Sequence, residues 1–119
     1  MTTEEAELLW LAAKAAKLNF GVIHGLPRIR CDAGWTPWNP IDDDRDALRL
    51  ALTLGLSLEP YPLYSTEKHS VIVKRRRRSD QLRESNPTEC IECYRGDPMG
   101  ATRRAITRAA AACAPADPV

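Results

Sequence analysis

Apolar residues recur at helical spacing near the start of the chain. Leu8, Leu9, Trp10, Leu11, Ala12, Ala15 and Ala16 form a wide apolar surface, which predicts a helix over residues 2–18. Thr2 followed by Glu5 matches a capping box, and the early acids suit the positive end of the helix dipole. Lys14 and Lys17 lie near the C-terminal end, and Asn19 is the expected stop. The pattern then shortens to "FGVIHG" and "PRIRC", two β-leaning runs punctuated by Gly25 and Pro27, consistent with a hairpin.

The next helix follows "WTPWNPIDDDRDALRLALTLGL", residues 35–56. Pro37 and Pro40 disfavour helix before Ile41. Asp42 or Asp43 is then a natural N-cap, its carboxylate accepting a first-turn amide hydrogen bond. Leu48, Ala51, Leu52 and Leu54 supply the apolar helical spacing, Arg45 and Arg49 lie outside it, and Gly55 ends the helix. "LSLEPYPLY" follows as extended chain. "HSVIVKRRRR" and "TECIECYRG" read as strands on either side of a polar linker from Ser79 to Pro87. Asp97-Pro98 opens a last helix, with an N-cap before Pro at the first helical position. Its inward face is predicted to be Ala101, Ala105, Ile106, Ala109 and Ala112.

These elements predict a single α+β domain over residues 1–113, with 114–119 as a disordered tail. Three helices pack on a small antiparallel sheet in the order α-β-β-α-β-β-β-α, with no βαβ periodicity that would demand a parallel sheet.

Composition narrows the class. At 119 residues, 44% hydrophobic and 28% charged, the chain is of ordinary globular type and long enough for one core. Only seven residues are aromatic, so the apolar material is mostly Ala and Leu, which suits helices packed closely through small side chains. The net charge of +1 conceals an asymmetry. Residues 1–70 hold seven Lys/Arg against ten Asp/Glu, and residues 71–119 hold ten against six. No stretch approaches the roughly 18 apolar residues needed to span a bilayer. Glu4, Glu5 and Glu7 are the wrong charge for a signal peptide, so the expected location is the cytoplasm. There, Cys31, Cys90, Cys93 and Cys113 are expected to be thiols.

Four aspartates among five positions, Asp42, Asp43, Asp44 and Asp46, raise the question of a metal or acid–base site. An oxygen-ligand site needs carboxylates converging on one point, whereas consecutive helical residues fan out by about 100° each. The EF-hand glycine and distal glutamate are missing. The cluster therefore reads as a helix start.

The strongest binding candidate is Lys74, Arg75, Arg76, Arg77 and Arg78, which Arg103, Arg104 and Arg108 extend if the last helix lies beside that strand. Such a ridge suits phosphate backbones or an acidic protein surface, and equally suits a solvated strand end that blunts edge aggregation. Trp35 and Trp38 offer either an exposed stacking platform or a lid over the core. "CIEC" at Cys90 to Cys93, with Cys31 and His24, offers a Cys₃His zinc set or a redox pair. Against both, the pair lies in a strand, where residues three apart face opposite sides, so structural thiols are expected. No nucleophile elbow, Walker loop or dinucleotide fingerprint appears, and His24 and His69 lack enzyme-like neighbours in the sequence. No catalytic residue, metal ligand or cofactor is therefore expected.

Trp38, Asn39 and Pro40, then Asp46 to Ala51, and finally Arg103 to Ala110 carry a resemblance. Together they resemble small accessory proteins of tailed phages and prophages, in which a Trp-Asn-Pro segment leads to an Asp-Ala-Leu-Arg-Leu-Ala helix and an Arg-Arg-Ala-Ile-x-Arg-Ala-Ala helix closes the chain. The resemblance implies a phage accessory protein in a bacterial host cell, with no catalytic residues to transfer. The expected function is non-enzymatic binding of a host protein. The alternatives are a nucleic-acid-binding module using the Arg-rich strand and last helix, and a zinc-stabilised module through Cys90 and Cys93. The α-β-β-β-α order that begins at the second helix is also that of double-stranded-RNA-binding domains, an analogy of order alone.

Overall fold

A computed structural model describes residues 2–62, 69–75, 89–94 and 97–114. The polar linker, Arg76 to Arg78 and the tail from residue 115 lie outside the described residues. In chain order the elements are α1 (Thr3–Ala15), β1 (Asn19–Ile23), β2 (Leu26–Cys31), β3 (Gly34–Pro37), α2 (Asp44–Leu54), β4 (Leu56–Pro62), β5 (His69–Arg75), β6 (Glu89–Tyr94) and α3 (Pro98–Ala112). The α+β class, the three helices and the antiparallel pairing are as the sequence predicts. The strands divide into two three-stranded sheets, β1-β2-β3 and β4-β5-β6. The second sheet consists of the three strands expected after α2. The first gains β3, a four-residue strand whose Gly34 and Pro37 hide it from sequence patterning. None of the three helices is long and apolar enough to cross a membrane.

The helix boundaries have local causes. The Thr2 hydroxyl accepts a hydrogen bond from the Glu5 amide at 3.1 Å and opens α1. The helix ends earlier than Asn19, because Lys17 adopts a left-handed φ of 61°. The Leu18 amide then bonds the Ala13 carbonyl at 2.8 Å and the Lys17 amide bonds Lys14 at 3.1 Å, a Schellman ending with lysine where glycine is usual. Asn19 is thereby freed to open β1. The β1–β2 hairpin turns through His24 and Gly25, both at positive φ (55° and 77°), as a two-residue type I′ turn requires. Gly55, at φ 67°, closes α2.

The two halves meet on α3, which packs against α1, α2, β5 and β6. Gly100, Ala101, Ala105, Ile106, Ala109 and Ala110 are its buried apolar positions. Ala112, predicted inward, is exposed in the last turn. Small side chains let α1 approach closely, and Leu9, Ala12 and Ala13 face α3 with no exposed surface. Val71 and Val73 cover the other side of α3 from β5, at 3% and 0% exposure.

In α2 the buried face differs from the predicted one. Ala47, Leu50 and Ala51 point inward, while Leu48 and Leu52 are 59% and 73% exposed. The helix packs against α3 and β4 through its alanines and Leu50, and two of its leucines face outward.

Candidate functional site

The four aspartates each have a defined structural partner. Asp43 is the N-cap, its Oδ1 accepting from the Asp46 amide at 3.0 Å. Asp46 does not complete a capping box, since its Oδ2 accepts from the Asn39 amide at 2.9 Å. Asp42 accepts from Asn39 Nδ2 at 3.2 Å. Asp44 receives Arg103 Nη1 at 2.6 Å, and Arg103 Nε donates to the Ile41 carbonyl at 2.8 Å. Asn39 organises the turn, its Oδ1 accepting from the Ile41 amide and its carbonyl accepting from the Asp42 and Asp43 amides. Pro40 beside it is fully buried. The segment from Trp38 to Asp46, with Arg103, is thus the joint between α2 and α3.

Asp43→Ala should therefore cost about 0.5–2 kcal/mol in denaturant unfolding, the range for losing an N-cap. Divalent ions should leave the midpoint of each single Asp→Ala variant unchanged. Ion-dependent stabilisation lost in Asp44→Ala or Asp46→Ala would instead indicate a cation site.

The predicted basic ridge is only partly assembled among the described residues. β5 does lie beside α3, as the ridge requires. Lys74 is engaged with Glu59 at 3.3 Å, and Arg75 ends β5. Arg103 is turned toward α2, with its side chain only 20% exposed and bound to Asp44 and the Ile41 carbonyl. Arg104 is half-buried and Arg108 exposed on α3. Arg103 therefore acts as a clamp between helices.

The tryptophans separate. Trp38 is 5% exposed and packs edge-on to Phe20 at a centroid distance of 5.9 Å, so it is a core residue and not a surface platform. Trp35, on β3, is 41% exposed.

The Cys₃His set does not converge. His24 lies at the β1–β2 turn and Cys31 at the far end of β2, a span of roughly 17 Å for a six-residue strand. Cys90 and Cys93 belong to the other sheet, paired with Val73 and Ser70. Cys31 Sγ lies 3.1 Å from the Gly34 carbonyl and 3.2 Å from Thr36 Oγ1. No group of three or more His, Cys, Asp or Glu that could hold a metal ion occurs among the described residues.

A cleft of about 220 Å³ opens between the first sheet and α2, with Leu18, Ile29, Trp38 and Leu50 as floor and Asp46 and Arg49 at its rim. It is smaller than the roughly 300–1,000 Å³ usual for small-molecule sites. Its carboxylate is committed to Asn39.

Two surfaces escaped the sequence reading. One is the outward stripe of Leu48 and Leu52 on α2, flanked by Arg45 and Arg49, all exposed. No salt bridge among the described residues ties either arginine. The other is the grouping of Arg28 and Arg30 with Trp35, itself a platform candidate from sequence, on the outer face of the first sheet. The Arg-Ile-Arg alternation in β2 was the available signal for it, but the neighbouring strand that carries Trp35 was missed. Comparison with family models, curated proteins and solved structures finds no match to this chain.

Proposed function

We propose that this chain is a non-enzymatic binding protein of the phage or prophage accessory type, acting on a host protein in the bacterial cytoplasm. The observation that carries the reading is the inverted use of α2. Its alanines are buried and two of its leucines are not, with Leu48 at 59% and Leu52 at 73% exposure. Burying such a side chain stabilises a protein by about 1.5–3 kcal/mol, so stability alone favours the opposite arrangement. Leu48 and Leu52 are one turn apart and form a continuous stripe, the i, i+4 anchor pattern by which helices enter grooves on partner proteins. Arg45 and Arg49 beside it favour a partner whose groove has an acidic rim. The resemblance of the α2–α3 joint to phage accessory proteins supplies the biological setting.

The test is affinity capture from nuclease-treated bacterial lysate, with Leu48→Glu/Leu52→Glu alongside the wild type. One stoichiometric protein should be retained by the wild type and lost from the double variant. The stability of the variant should remain within about 0.5 kcal/mol per site, as expected for exposed positions. A partner that binds both proteins equally, or none under infection-like conditions, would sink the reading.

A further inference from the structure

Strand register decides what shares the outer face of the first sheet. Asn19 pairs with Arg30 and Arg30 with Trp35, while Gly21 pairs with Arg28 and Arg28 with Pro37. Phe20 and Ile29 belong to the opposite face and pack against the core. The outward face therefore presents Arg28, Arg30 and Trp35 in adjacent rows, with Ile23 and Leu26 beyond them and no carboxylate among the side chains of that face. The indole of Trp35 reaches diagonally across β2. Its Cη2 and Cζ3 lie 3.1 and 3.2 Å from where a Cβ on Gly21 would stand. A Cβ there would require the indole to give by a few tenths of an ångström, and the indole spans from the Arg30 row to the Arg28 row. Nε of Arg28 is shielded from solvent and has no hydrogen-bond partner.

We infer that this sheet face binds single-stranded nucleic acid, with an unpaired base stacked on Trp35 and the adjoining phosphates held by Arg28 and Arg30. An exposed indole offers any base a flat π surface, and a strand-borne aromatic is a recurrent way for a sheet to take unstacked bases. Guanidinium groups match phosphate oxygens in a two-pronged geometry, and the strand residues of this face include no acid. Asn19, at the β1 end of the row of Trp35 and Arg30, also lines a groove of about 300 Å³ with Trp10, Lys14, Leu18 and Phe20 at the sheet edge. Two strand spacings of about 4.8 Å separate Trp35 from Asn19, so the track suits a few nucleotides. An acidic peptide would use the arginines but would gain little from the indole, and a duplex would keep its bases stacked inside.

The experiment is a fluorescence-anisotropy titration of the full chain with labelled oligothymidylate of about eight nucleotides, a length within single-strand site sizes. An abasic oligomer of equal length, the duplex form and an oligoglutamate serve as comparisons. The oligothymidylate should bind at low salt and at least about tenfold more tightly than the abasic chain, the scale of one stacked base. Trp35→Ala should weaken binding about tenfold, and Trp35→Phe, which keeps a ring, should recover most of it. Arg28→Gln/Arg30→Gln should lower the slope of log Kd against log salt by about 1.4, or 0.7 per phosphate contact. Leu48→Glu/Leu52→Glu should bind the oligonucleotide as the wild type does, which separates this face from the α2 stripe. Every variant retains Arg75 to Arg78, so a purely charge-driven association would be indifferent to Trp35→Ala. Such indifference, equal affinity for the abasic oligomer, the duplex or oligoglutamate, or no binding at low salt would overturn the inference. If Trp35→Ala melts early, the arginine pair and Trp35→Phe still separate the two outcomes.

Discussion

Trp38→Ala should destabilise the protein by about 3–5 kcal/mol, while Trp35→Ala should cost about 1 kcal/mol or less. Trp38 is 5% exposed and lies in the core cluster with Leu50, Ala47 and Ala12. Removing it leaves a large cavity and also removes the edge-on contact with Phe20, a type of contact worth about 0.5–1.5 kcal/mol beyond area burial. Its amide bonds the Pro27 carbonyl at 3.1 Å, so the residue is held beside the start of β2, where the chain leaves β3 for the α2 joint. Trp35 has only the sheet surface beneath it and is 41% exposed. Denaturant unfolding of the two variants measures the contrast directly. Equal losses would mean that Trp35 belongs to the core and could not serve as a platform.

Leu9→Ala should cost about 2–5 kcal/mol, and Trp10→Ala about 1 kcal/mol or less. Leu9 is fully buried where α1 meets α3, among alanines that cannot expand to fill the space it leaves. Trp10 is 44% exposed, with Lys14 Nζ 5.1 Å from its ring centroid. A cation–π contact at an exposed site contributes about 0.5–1 kcal/mol. The larger aromatic should therefore matter less than the smaller aliphatic beside it. Thermal melts of both variants decide it, and a reversed order would mean that α1 is rotated on its axis.

Leu8 to Leu11 are all apolar and, at about 100° per residue, they point all round the helix, so pattern alone could not choose the inward member. Leu48 and Leu52 were misplaced for a different reason. Ala47, Leu50, Ala51 and Leu54 hold the i, i+3, i+4, i+7 spacing of one helix face, whereas Leu48, Ala51, Leu52 and Leu54 end at i+6, so leucine size was put before spacing. The candidate sites fared likewise. Arg103 read as part of a binding ridge because a sequence does not reveal that Asp44 and the Ile41 carbonyl stand 2.6 and 2.8 Å away. Trp35 and Trp38 are separated by two residues, yet one lies on the outer sheet face and the other in the core.

The features legible from residues alone are local ones. The Thr2, Asp43 and Asp97 caps, Pro98 at the start of α3 and Gly55 at the end of α2 act through their own and adjacent backbone groups. The His24-Gly25 hairpin and the five longer strands likewise follow from nearby residues, as do the α+β class and the helical reading of the aspartates. Everything that depended on residues far apart in the chain had to wait for the folded arrangement. Packing divided six strands into two sheets, gave β3 a partner, turned the alanines of α2 inward and set Arg28, Arg30 and Trp35 on one face. Each of those choices is made by burial and pairing between separate elements, whose energies exist only once the elements have met.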